Sequence, residues 1–234
     1  AEADARRMLE VYTDFVENEL AVPVIQGEKT ESEKFPGAES TLTMEVMTQD
    51  RKALQNGTSH FLGQNFAKAS GIQFRTKDEE LEHAWTTSWG TTNRMIGSMI
   101  MAHSDDNGLV LPPNIAPYQV VIIPVAHKDE DKARVLEYCH KLNKELDVRS
   151  HVDDRDWRAG EKAWHWIKKG VPIRVEIGPR EMDADTLSVV KRSNGPKEFE
   201  KQSKAEFIKT VSDQLAAMQK ELFDKASAFR KSNT

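Results

Sequence analysis

Two short runs carry side chains whose types and spacing suit ligand chemistry. In residues 84–100, a polar, β-prone stretch with Trp85, Thr86, Thr87 and Trp89 meets Gly90. Thr91, Thr92 and Asn93 then offer N-cap chemistry to an apolar helix carrying Met95, Ile96, Met99 and Ile100. Arg94 therefore falls in the first turn. A cation is unfavourable at the positive end of a helix macrodipole, so Arg94 beside Gly90 and Gly97 points to an anion held there. The same residues also fit a buried strand and a buried helix, with Arg94 snorkelling to water. In residues 53–63, Gln55, Thr58 and His60 bracket Gly57, which leaves room for a ligand. No charged group lies in that run, so it suits a small zwitterion better than a metal. By residue type alone, His60 is more often a structural histidine.

The elements that must position these residues follow from periodicity. Residues 41–48 alternate, with Leu42, Met44 and Val46 on one face and Thr41, Thr43 and Glu45 on the other. After the turn QDRK, residues 53–63 pair with them as an antiparallel hairpin. Met8, Leu9, Tyr12, Phe15, Val16 and Leu20 recur at helical spacing through residues 3–20. A short strand follows at 22–25, then a charged connection leading to Phe35, and a short helix from Gln64 that ends at Gly71. The run HSDDNGLVLPPNIAP offers His103, Asp105 and Asp106 as a divalent-metal set, but it lies in a turn without the spacing of a known metal loop. It reads more simply as the close of one domain, stiffened by Pro112, Pro113 and Pro117.

From Tyr118 the pattern becomes strand, helix, strand, helix, strand. QVVIIPV is an apolar run of the sort buried on both faces of a sheet, and helices are expected near 128–146 and 158–169. Strands are expected at VRSHV, VPIRVEIG and LSVVKR, with a turn at GPREMDADT and one long helix filling 197–230. The expected fold class is α/β (α+β). An antiparallel sheet with flanking helices spans 1–113, a linker 114–118, and an α/β domain with a mixed sheet 119–234. Glu176, Arg180, Lys191 and Arg192 fall where strands end in loops of the second domain, and Trp157, Trp164 and Trp166 are core, rim or stacking residues.

No apolar run is long enough to cross a membrane, and the single Cys139 allows no internal disulfide and no zinc cluster, which fits a reducing, cytoplasmic setting. Charge is asymmetric: residues 1–117 hold 10 Lys and Arg against 18 Asp and Glu, whereas residues 118–234 hold 23 against 20. An acidic half joined to a mildly basic half suits a small-molecule pocket tethered to an RNA reader.

SWGTTNRMIG followed by MAHSDDNGLVLPPNIAPYQVVIIPV resembles the third signature motif of the class II aminoacyl-tRNA synthetases, specifically the prolyl enzymes of the type found in eukaryotes and archaea. The resemblance implies that Arg94 binds ATP phosphates and that Thr92 contacts the nucleotide. GTSHFLGQNFAK is similar to the same family, which implies that Gln55 contacts ATP and its Mg2+, Thr58 the nucleotide, and His60 the proline. Phe35, in EKFPG, corresponds to a ring against which proline packs, and Trp89 is a further aromatic candidate for that pocket. DDRDWRAGEKAWHWIKKGVPIRVEIGPREMDADTLSVVKR resembles the anticodon-binding domain shared by prolyl, threonyl, histidyl and glycyl synthetases, making Glu176, Arg180, Lys191 and Arg192 candidates to read single-stranded tRNA bases.

The implied reaction joins L-proline and ATP to give prolyl-adenylate and then loads tRNA for proline, in an enzyme expected to be a homodimer and to bind no DNA. The first and second signature motifs are not visible, so the chain resembles an internal piece, inactive by itself. The alternative is a non-catalytic tRNA-binding or regulatory module. A threonyl-type enzyme ranks last, because no Cys/His set offers zinc ligands.

Overall fold

The computed structural model describes residues 1–126, 128–195 and 197–234. The chain divides into two compact units, residues 1–102 with 226–234, and residues 103–225.

In the first unit, helix α1 (Glu2–Asp14) runs into a wider π-type turn at Phe15–Glu19 where the sequence suggests one regular helix. Strands β1 (Val24–Glu28), β2 (Ser40–Met47) and β3 (Ala53–Gly63) follow. Next come helix α2 (Asn65–Ser70), a small hairpin of β4 (Gln73–Arg75) and β5 (Leu81–His83), strand β6 (Thr86–Gly90) and helix α3 (Arg94–His103). The main sheet is antiparallel in the order β1-β2-β3-β6. Leu42, Met44 and Val46 are buried as the alternation requires. Burying each contributes about 2 kcal/mol, against under about 1 kcal/mol for a surface ion pair, so these residues decide which face of β2 turns inward. Ser59, on the same face, donates its hydroxyl to the Ala5 carbonyl of α1 at 2.7 Å. The opposite face is left with Thr41, Thr43 and Glu45.

The second unit runs β7 (Val120–Pro124), α4 (Asp129–Glu145), β8 (Ser150–Val152), α5 (Ala159–Lys168), β9 (Ile173–Ile177) and α6 (Pro179–Asp183). It continues through β10 (Thr186–Lys191), β11 (Phe199–Ser203) and α7 (Lys204–Asn233), whose last residues belong to the first unit. Its sheet is mixed, in the order β11-β10-β9-β7-β8, with β7 parallel to β8 and β9 and the other pairs antiparallel. β7 is buried on both faces: Val120 and Ile122 join Cys139, Leu142, Phe207 and Leu215, while Val121 and Ile123 pack with Trp166 and Val171. Cys139 is buried.

Three further features differ from the sequence reading. Residues 199–203 form β11 rather than the start of the last helix, because pairing with β10 supplies hydrogen bonds that local helix preference does not outweigh. GPREMDADT contains the short helix α6, with the Glu181 carboxylate accepting from the Gly178 N–H at 3.1 Å. The division between units falls at 102/103, ahead of the proline-rich stretch. Leu109 and Leu111 donate to the carbonyls of Lys168 and Gly170, and Gly108, at φ +138°, lies so close that a Cβ would meet the Lys168 backbone at 2.5 Å. The loop thereby belongs to the second unit.

Candidate functional site

A β-bulge assembles the site in the first unit. Thr41 pairs with His60, Thr43 with Thr58 and Met44 with Gly57, but Glu45 pairs with Gln55, leaving Asn56 as the extra residue on β3. In an unbroken strand Gln55 would face away from Thr58 and His60, since their spacing is odd. The bulge shifts the phase and puts all three, each half-buried, on the polar face beside the buried Thr41 and Thr43. Gly57 makes room there, since a Cβ would meet Met44 Cε at 2.7 Å and Thr91 Cγ2 at 3.3 Å and those side chains would have to shift.

His60 is held at both ring nitrogens, with Thr41 Oγ1 2.9 Å from Nδ1 and Thr58 Oγ1 3.1 Å from Nε2. The Phe35 N–H donates to Thr41 Oγ1 at 3.0 Å. The simplest order of donors therefore runs from Phe35 to Thr41, from Thr41 to Nδ1, and from Nε2–H to Thr58. Burial pushes the His60 pKa down, which favours the neutral ring. The rings of Phe35 and His60 lie 4.9 Å apart, and Phe35 keeps an exposed surface.

Arg94 opens α3, whose first turn carries no acid. Its N–H donates to Thr92 Oγ1 at 3.2 Å, and its guanidinium Nη1 donates to the Gln55 carbonyl at 3.2 Å. Gly90 pairs with Thr58, so Gln55, Thr58, Thr92 and Arg94 come together at one end of the polar face, with His60 and Phe35 beyond them. Trp89 is not brought to this group. It pairs with Ser59 and so takes the face that α1 covers, opposite His60. Glu45, which meets Lys29 at 3.6 Å, lies across from Gln55 on the polar face. With Thr41, it belongs to a polar stripe that alternation had revealed without giving it a role.

In the second unit the four base-reading candidates separate. Glu176 accepts from Arg174 Nε at 2.8 Å and pairs with Ser188. Arg174, Ser188, Phe199 and Lys201 share its side of the sheet. Lys191 takes the other side and meets Glu200 at 3.2 Å. Arg180 is exposed on α6. Arg192, expected at a reading surface, is instead buried. Its guanidinium grips both carboxylate oxygens of Asp105, at 2.8 and 2.5 Å, and also donates to the Ile167 and Gly108 carbonyls. Arg192 thus ties down the proline-rich loop, and the Asp105 carboxylate, held down to about 2 chiefly by that hydrogen-bonded cation, is taken by an arginine rather than a metal.

Residues 119–214 match the anticodon binding domain family. The chain is 50% identical over 98% of its length to the proline–tRNA ligase of Bdellovibrio bacteriovorus, covering 48% of that protein. It is 52% identical over 99% of its length to that of Rhodopirellula baltica, covering 47%, and 47% identical over its full length to that of Chloroflexus aggregans, covering 50%. Along nearly its whole length the chain is similar to proline–tRNA ligases. It spans about half the length of the relatives it matches.

The sequence resemblance would put nucleotide and amino-acid contacts on the bulged face of β3 and the start of α3. The residues present fit an ATP phosphate: an exposed guanidinium at the positive end of a helix, with no competing acid in the first turn. Among the described residues no three His, Cys, Asp or Glu side chains gather as a metal site. A magnesium ion arriving with a nucleotide needs few protein ligands, and the Gln55 amide suffices as one.

Proposed function

We propose that, within the longer protein, this chain supplies one side of a proline-activating site and the tRNA anticodon reader. The observation that supports the reading is the bulge-driven gathering of Gln55, Thr58 and His60 on one face, with Arg94 anchored to the Gln55 carbonyl. ATP, when bound, supplies the adenylyl group that activates the proline carboxylate. Arg94 would neutralise phosphate charge, Thr58 and Thr92 would hold the nucleotide, and Gln55 would contact it and its Mg2+. Neutral His60 and the Phe35 ring would receive the pyrrolidine. Attack of a carboxylate on the α-phosphate needs positioning and charge neutralisation and no general base, so a face without acid-base machinery suits the step. Prolyl transfer to tRNA for proline follows, with Glu176, Arg180 and the neighbouring sheet side as the base-reading surface, and Lys191 at the opposite side. The intact enzyme would act as a homodimer in the cytoplasm.

Proline-dependent ATP–pyrophosphate exchange tests this on the chain and on the same chain extended upstream in its gene. Exchange in the extended form is expected to fall on the order of 100-fold in Arg94→Ala, the scale of removing one preorganised charge donor. No exchange in either form, with tRNA binding retained, would leave a non-catalytic RNA-binding module.

A further inference from the structure

Helix α5 and the turn leading into it display two tryptophans that proline activation does not use. Trp157 and Trp164 are 47% and 42% exposed. They lie seven residues apart, so with Gly160 and Lys168 they form one stripe along the helix. A groove of about 560 Å³ runs between them, lined also by His165 and Lys169.

The groove is preorganised. The Arg155 guanidinium covers one side of the Trp157 ring, 3.8 Å from its centroid, and the His165 ring stands edge-on to Trp157 at 5.5 Å. Arg155 is pinned by two hydrogen bonds to the buried Asp153 carboxylate, at 2.8 and 2.6 Å, and the same carboxylate accepts from Trp166 Nε1 at 2.8 Å. The groove's one acid, Glu161, accepts from the Arg158 N–H at 3.2 Å. Lys168 and Lys169 are exposed. Half-exposed indole faces between lysines are poor cores for a protein contact, where lysine is depleted, and good platforms for nucleobases flanked by phosphates. α5 also packs, through Trp166, against Val121 and Ile123, on the side of the sheet to which Glu176 points.

We propose that the α5 groove is a second RNA-contact surface, stacking unpaired bases on Trp157 and Trp164 and holding the intervening phosphates with Lys168 and Lys169. It rests on the reading of the second unit as an RNA reader, and its lining residues are different ones from those around Glu176.

Fluorescence anisotropy with tRNA for proline, and with a labelled oligouridylate about eight nucleotides long, separates the two. Trp164→Ala is expected to weaken both RNAs about tenfold, with Trp164→Phe restoring most of the loss and thermal midpoints unchanged. Lys168→Gln should lower the slope of log affinity against log salt by about 0.7 on the oligouridylate. If Glu176→Ala weakens tRNA binding while Trp164→Ala leaves both RNAs unaffected, the groove proposal fails and the anticodon reading stands. If the unmodified chain binds neither RNA, both fail. Should Trp164→Ala instead dissociate a dimer in sedimentation without changing RNA affinity, the groove is a protein contact and the proposal is overturned.

Discussion

His60 and Arg192 were both candidates by residue type, and their surroundings send them in opposite directions. His60 lies half-buried on the polar face with its ring held by two threonines, and burial lowers its pKa from the ordinary value of about 6.5. Because the folded value is the lower one, its contribution to stability is complete above about pH 6.5 and is lost as pH falls through the folded value. Over the same range a cation would appear beside the ring meant for a protonated pyrrolidine. The KM for proline of the upstream-extended chain is therefore expected to rise as pH falls below about 6.5 and through the lowered folded value, and His60→Gln should flatten that rise. A KM that is flat in the unmodified enzyme would remove His60 from the pocket. Arg192 acts through its two-pronged grip, which lysine cannot reproduce. Arg192→Lys is expected to cost about 1–2 kcal/mol in thermal unfolding, with Asp105 screened by its partial exposure, and to leave tRNA affinity of the folded protein unchanged. With Asp105 held at about 2, that contribution is whole above about pH 4 and fades as pH falls toward 2. Lost tRNA binding in a stable Arg192→Lys variant would return the residue to the RNA surface.

At the scale of elements, periodicity was a good guide wherever a side chain's burial decided the outcome. The alternation of Leu42, Met44 and Val46 gave β2 its inner face, and the unbroken apolar run of β7 meant burial on both sides. Legibility stopped where structure depends on a partner distant in sequence. β11 is mostly polar and owes its strand form to β10, so nothing within residues 199–203 announces it. The bulge at Asn56 is likewise a property of the β2–β3 pair, and for that reason spacing could nominate Gln55, Thr58 and His60 without showing how an odd interval reaches one face. Gly57 is the element's most sensitive position. Gly57→Ala would force a methyl against Met44, which is fully buried, and against Thr91 just ahead of Arg94. A loss of about 1–3 kcal/mol is expected, together with a raised KM for ATP in the extended chain because the Arg94 turn is displaced. Thermal melts and exchange kinetics read the two effects separately, and an unchanged KM would mean that the turn does not depend on the bulge.

Across the whole molecule, the two units differ in how openly their sequences declared their roles. The pocket residues fall in two contiguous runs, so a resemblance could be carried to them position by position. The candidates for base reading are scattered over β9, β10 and α6, and chain order placed Lys191 beside Arg192 although one lies on a sheet face and the other inside. Trp89 shows the same difficulty, since only the register with Ser59 reveals which way it faces. Cys139 is the chain's one thiol, and it sits at the centre of the second unit's core with its pKa pushed up to about 12 by burial. A thiol reagent at mildly alkaline pH is expected to label it only as often as that unit opens, far more slowly than it labels free cysteine, and in step with denaturant-induced unfolding. Labelling at the free-thiol rate would contradict the packing around α4. The lone sulfur therefore serves as a built-in clock: any RNA that grips the closed form must slow it, so occupancy of the second unit can be timed without attaching a probe to either partner.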